Sequence, residues 1–185
     1  MHRCYYFLIT ALLLTNTVYS QNAGAPVEVT PEISSKIQQQ IAKEEVSLTA
    51  ELKKKKSSDA TIEFELDKFR VDAYMQQYMK YDYSTAGMRS ATYHAAEQYD
   101  SLLNKYYKML IAALNQADRP KLVAAQRAWL SYRDSELHLI EVLSKEQYSG
   151  GGTIQQLVEA DNYLVIIKNR TETIFDYYER ATTNQ

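Results

Sequence analysis

The sequence predicts an all-α protein: a bundle of three long helices with one or two further helices ahead of them. Three observations carry that expectation. Apolar residues recur at spacings of 3 and 4 through most of the chain beyond residue 30, the period of an amphipathic helix. Strong breakers at Asp118-Arg119-Pro120 and at Gly150-Gly151-Gly152 cut that pattern into long pieces. Residues 61–67 alternate well enough for a strand, but no second stretch exists to pair with them, so they too read as helix. The 185 residues suffice for one ordinary domain with short extensions.

Residues 1–20 have the form of a secretory signal peptide. His2 and Arg3 open it, residues 5–14 are apolar, and Val18-Tyr19-Ser20 offers small residues at the cleavage positions. The apolar run is too short to span a bilayer, so the chain is not expected to be membrane-spanning. Cys4 precedes the apolar run, whereas a lipid-anchoring cysteine would follow it. Cleavage before Gln21 leaves an exported chain, periplasmic or secreted.

The whole chain carries 21 Lys+Arg against 23 Asp+Glu. The signal holds only Arg3 among these, so the mature chain has 20 against 23, a net charge of −3. That balance is too mild and too mixed for a nucleic-acid partner. The single cysteine leaves with the signal. The mature chain therefore has no internal disulfide and no thiol nucleophile, and must rely on its core.

After a tail at residues 21–29, Thr30-Pro31-Glu32 reads as a helix start, threonine capping and proline in the first position. Ile33, Ile37, Ile41, Leu48 and Leu52 make a thin stripe on this polar helix, which ends in Lys53-Lys54-Lys55-Lys56. Residues 59–81 form the next helix, with Ile62, Leu66, Phe69, Ala73 and Tyr78 on one side. Ser84 or Thr85 caps the first long helix, whose stripe runs Met88, Ala91, Ala95, Tyr99, Leu102, Tyr106, Met109, Ala113. The second long helix runs from Pro120 to about Ser144, with Leu122, Ala125, Trp129, Tyr132, Leu139 and Leu143 as its buried stripe. Thr153 and Gln156 have the spacing of a capping box. They open a last helix with the stripe Leu157, Ala160, Leu164, Ile167, Thr171, Ile174, Tyr178. The expected organisation is signal at 1–20, tail and polar helix at 21–58, and bundle at 59–185.

Catalytic readings find little purchase. Only His94 and His138 remain after the signal, and no metalloprotease motif, phosphate loop or nucleophile elbow is present. His94 with Glu97 and His138 with Glu141 stand at i, i+3, reversed in order from the pairs of di-iron bundles and without their two further glutamates. They read as surface histidines. No catalytic residue, metal site or cofactor is expected.

The polar residues on the apolar faces are the stronger signal. Asn104 and Tyr107 lie at i, i+3 on the first long helix. Gln126, Trp129 and Arg133 lie at i, i+3, i+7 on the second, and Arg170 stands mid-way along the last. Two readings stay open. The groups bond one another across the bundle and fix its register, or they form a recognition face of the residue types enriched at binding hot spots.

Ser84-Thr85-Ala86-Gly87-Met88, Asp100-x-x-Leu103-Asn104-x-x-Tyr107, Gln126-Arg127-Ala128-Trp129-Leu130-x-Tyr132-Arg133-Asp134, Gly151-Gly152-Thr153 and Arg170 together form a pattern. Over about residues 84–180 it resembles the lysozyme inhibitor LprI N-terminal domain family of exported helical bacterial proteins. The family's usual cysteines are missing at the matching positions near Ser90, Leu137 and Asn162. The resemblance implies a binding protein rather than an enzyme, with a protein partner, a lysozyme-type muramidase, whose cleft it occludes. The other class of function is an envelope-associated helical module that binds some other protein and inhibits nothing. A monomer is the expected state.

Overall fold

The computed structural model describes residues 25–183. Its helices are α1 (Pro31–Lys54), α2 (Asp59–Tyr81), α3 (Thr85–Ala113), α4 (Arg119–Leu143), the short α5 (Glu146–Ser149) and α6 (Ile154–Thr182). No strand occurs among the described residues. The signal read at residues 1–20 lies outside them.

The bundle is built on α3 and α6, 29 residues each and so about 44 Å long at 1.5 Å per residue. They run parallel. Arg89 meets Gln156 near their starts, Tyr99 meets Thr171 in the middle, and Tyr106 meets Phe175 further on. Small buried residues on α3, Ala91, Ala95 and Ala96, let the backbones approach. There the Thr171 hydroxyl donates to the Tyr99 carbonyl at 3.1 Å. α2 and α4 run antiparallel to this pair, and α1 packs on α2 through Ile37, Ile41 and Leu52.

Two apolar clusters fill the interior. In one, the Phe64 ring of α2 stacks on Phe175 at 3.9 Å, and Tyr106 stands edge-on to both, at 4.9 and 5.2 Å. Offset and edge contacts of this kind suit the ring quadrupoles. The other joins Val71, Ala95, Ala96, Tyr99, Leu164 and Ile167. Tyr99 and Tyr106 are wholly buried, and a buried phenol needs a partner. Tyr106 donates to Asp67 at 2.8 Å and Tyr99 to Asp72 at 2.9 Å, both on α2. Lys105 and Lys168 complete the carboxylates' coordination, at 2.6 and 2.7 Å.

The turn between α2 and α3 explains part of the Ser84–Met88 motif. Ser84 is the cap; its hydroxyl accepts from the Gly87 amide at 3.0 Å and donates to Asp82 at 2.6 Å. A β-carbon at Gly87 would collide with the Asp82 carboxylate. Glycine is there for space.

The last helix keeps the expected stripe, with Ala160, Leu164, Ile167, Thr171 and Ile174 buried. Two expectations fail. Thr153 makes no side-chain cap; its backbone is already helical at φ −66, ψ −20, whereas a capping residue needs the extended region. Gln156 instead accepts from Arg89. On α4 the expected stripe is out of phase. Only Leu122 is buried and Trp129 partly so, while Ala125, Tyr132, Leu139 and Leu143 are exposed. The helix turns Gln126, Trp129, Arg133 and Ile140 inward instead.

Candidate functional site

α3 and α4 leave a groove between them with a volume of about 410 Å³. Proline at the second residue of α4 ends the connection and starts the helix, which sets α4 antiparallel to α3 across this gap. Asp100, Asn104 and Tyr107 form the α3 wall. Gln126, Arg127, Trp129, Leu130 and Arg133 form the α4 wall. The amide nitrogen of Asn104 donates to the Asp100 carbonyl at 2.9 Å and to its carboxylate at 3.2 Å.

Behind the α4 wall, α6 supplies Arg170. Its Nε and Nη2 both donate to the Gln126 side-chain oxygen, at 3.0 and 2.9 Å. Its guanidinium carbon lies 5.5 Å from the Trp129 ring centre, and that of Arg133 lies 5.6 Å from the same ring. The indole is therefore shared by two cations, an arrangement attractive to the ring quadrupole. Burial lowers the Arg170 guanidinium below its usual range, since it disfavours the charged form. Trp129 also touches both interior clusters. It belongs to both core and groove.

Of the six residues singled out from sequence, Gln126, Trp129, Arg133 and Arg170 meet in one assembly. Asn104 and Tyr107 stand on the facing wall and do not bond it. Arg133 pairs with its chain neighbour Asp134, at 2.9 and 2.7 Å, rather than with Asn104 or Gln126. His94 is exposed, its ring 5.2 Å from Tyr74, and His138 lies 3.7 Å from Glu141 on the surface. No cluster of potential metal ligands occurs among the described residues.

Sequence reasoning missed Asp100, Arg127 and Leu130 as groove residues, although all three lie inside motifs it quoted. It also missed the carboxylate ladder of Asp67 and Asp72 beneath Tyr106 and Tyr99. Burial first, then the neighbouring carboxylate, pushes both phenols well above their usual range. That marks them as neutral hydrogen-bond donors holding α2 to α3.

These features define an all-α bundle that presents a groove walled by aromatic and guanidinium groups. The family model described as lysozyme inhibitor LprI matches residues 76–173, more than half of the chain, and the chain belongs to that family. No curated protein and no solved structure matches it. The matched segment contains both walls of the groove and Arg170. α1 and most of α2 precede it, yet Phe64 of α2 is part of the same core. No helix among the described residues is long and apolar enough to cross a membrane.

Proposed function

We propose that this chain is an exported inhibitor of lysozyme-type muramidases and that it binds the enzyme through the α3–α4 groove. Membership of a lysozyme inhibitor family, by a match that spans the groove entirely, carries the reading. Muramidases of this type work with two carboxyl groups in an open cleft. A protein that seats arginine against such carboxylates, and an aromatic ring against the sugar-binding walls, excludes the substrate.

The groove has the chemistry for that. Arg127 is exposed and makes no ion pair among the described residues, so its fork is available for a bidentate carboxylate contact. Arg133 is held over Trp129 and keeps 22% of its side-chain surface, so it meets a partner in a fixed direction. Tyr107 and Leu130 supply the apolar body of the contact. Arginine, tryptophan and tyrosine at the centre of a patch are the usual carriers of binding energy. With a net charge of only −3 on the mature chain, long-range steering toward a basic enzyme is weak, so affinity rests on the contact itself.

The test is co-elution of the purified chain with lysozyme, together with lysis of a bacterial cell-wall suspension. The reading expects a complex and slowed clearing of turbidity. Unslowed clearing at a large molar excess of the chain contradicts it.

A further inference from the structure

On α4, Leu122, Ala125, Trp129, Tyr132, Glu136, Leu139 and Leu143 follow one another at strictly alternating spacings of 3 and 4. That is the seam of a helix–helix pair. The bundle uses only its first turns. Leu122 is buried and Trp129 partly so, but Tyr132, Leu139 and Leu143 keep 55%, 50% and 51% of their surface. Further along the molecule Val142 is exposed as well.

The charges of the same helix are segregated. Residues 119–133 hold Arg119, Lys121, Arg127 and Arg133 and no acid. Residues 134–143 hold Asp134, Glu136 and Glu141 and no Lys or Arg. The helix dipole favours the opposite order, acids at the start and bases at the end, and α4 has no acid in its first turn and no base in its last. Nothing inside the bundle offsets this. Among the described residues, the ion pairs of this stretch are Lys121–Asp118, Arg133–Asp134 and His138–Glu141, each between near neighbours in the chain.

We propose that the exposed stripe of α4 is the seam of a two-fold dimer, in which α4 lies antiparallel against α4 of a second copy. Antiparallel pairing of a helix with itself sets each basic half on the other copy's acidic half. It also aligns the two dipoles favourably. A two-fold axis makes the patch self-complementary, the usual form of a homodimer contact. The bulky exposed residues, Leu139, Val142 and Leu143, then meet the small exposed surface of Ala124, Ala125 and Ala128 in the other copy. Opposite charge across the seam selects this orientation over the parallel one.

Sedimentation equilibrium of the chain tests this, with no lysozyme present, so its outcome is separate from that of the muramidase reading. The expected mass is twice that of one chain, falling toward that of a single chain as ionic strength rises from about 0.05 M to about 0.5 M. Leu139→Asp is expected to give monomer with unchanged helical circular dichroism. Two charge-reversed variants, Lys121→Glu with Arg127→Glu and Glu136→Lys with Glu141→Lys, are each expected to be monomeric alone. Mixed in equal amounts they are expected to form a heterodimer, whatever the register of the seam. A wild-type monomer at every concentration overturns the proposal and leaves the face to a different protein. Persistence of the dimer in Leu139→Asp, or failure of the mixed variants to associate, overturns it too.

Discussion

Arg170 and Gln126, 44 positions apart, share one contact in which two guanidinium nitrogens converge on a single amide oxygen at 3.0 and 2.9 Å. It is the hydrogen-bonded tie between α4 and α6, and it sets the phase of α4. With Gln126 turned to α6, Trp129 follows inward and Arg133 comes to rest over the indole.

Gln126→Leu leaves the half-buried Arg170 without that acceptor. A buried polar group stranded in this way costs about 1–3 kcal/mol. For a domain of this size the melting temperature should fall by roughly 2–12 °C. Thermal unfolding followed by circular dichroism checks it, and an unchanged midpoint would show that the contact does not fix α4.

Trp129→Ala should destabilise by about 2 kcal/mol, short of the ~3–5 typical of a fully enclosed ring, because the indole is only partly buried. Urea unfolding gives the number. A loss below about 0.5 kcal/mol would place the ring outside the core altogether.

Alkaline pH should unfold the protein in a defined way. Tyr99 and Tyr106 keep their protons in the fold well above the ordinary value of 10.0, chiefly through burial and then through Asp72 and Asp67. In the unfolded chain both ionise near pH 10. Above that pH the unfolded state binds fewer protons than the native state, so stability falls as pH rises. The stabilisation is complete below pH about 10, and each phenol removes up to about 1.4 kcal/mol per pH unit above it. Phenolate absorbance of these two residues should appear together with loss of helix. Tyr99→Phe should flatten the slope. A slope that stays the same in that variant would contradict the assignment.

The reasons for success and failure along the chain are physical. α6 was legible because its stripe is apolar but for Thr171 and is buried from Ala160 to Ile174, so period and burial coincide. On α4 they part. The 3–4 stripe of Leu122, Ala125, Tyr132, Leu139 and Leu143 is present in the sequence, but the bundle prefers the adjacent line, where Gln126 finds Arg170 and Arg133 finds Trp129. Long amphipathic side chains can face an interior without being apolar, and periodicity alone does not register them. The grouping of Gln126, Trp129 and Arg133 was readable from helical spacing, and Arg170 joined them as a mid-helix arginine. The Asp67–Tyr106 and Asp72–Tyr99 pairs were not readable. They depend on the register of α2 against α3, which no local pattern contains.

Arg133 separates structure from recognition. Its partner Asp134 keeps 59% of its side-chain surface, and exposed pairs contribute about 0–1 kcal/mol. The Arg133→Met variant should therefore melt within about 4 °C of the wild type. A drop of more than about 5 °C would assign the residue to the fold instead.

Inhibition of lysozyme by wild-type and Arg133→Met chains, side by side in a cell-wall clearing assay, tests the central claim most directly. The wild-type chain should slow clearing in proportion to its concentration. The variant, folded and equally stable, should need at least about tenfold more, the equivalent of roughly 1.4 kcal/mol of lost contact. Equal inhibition by both would remove the groove from the mechanism, and no inhibition by either would remove lysozyme.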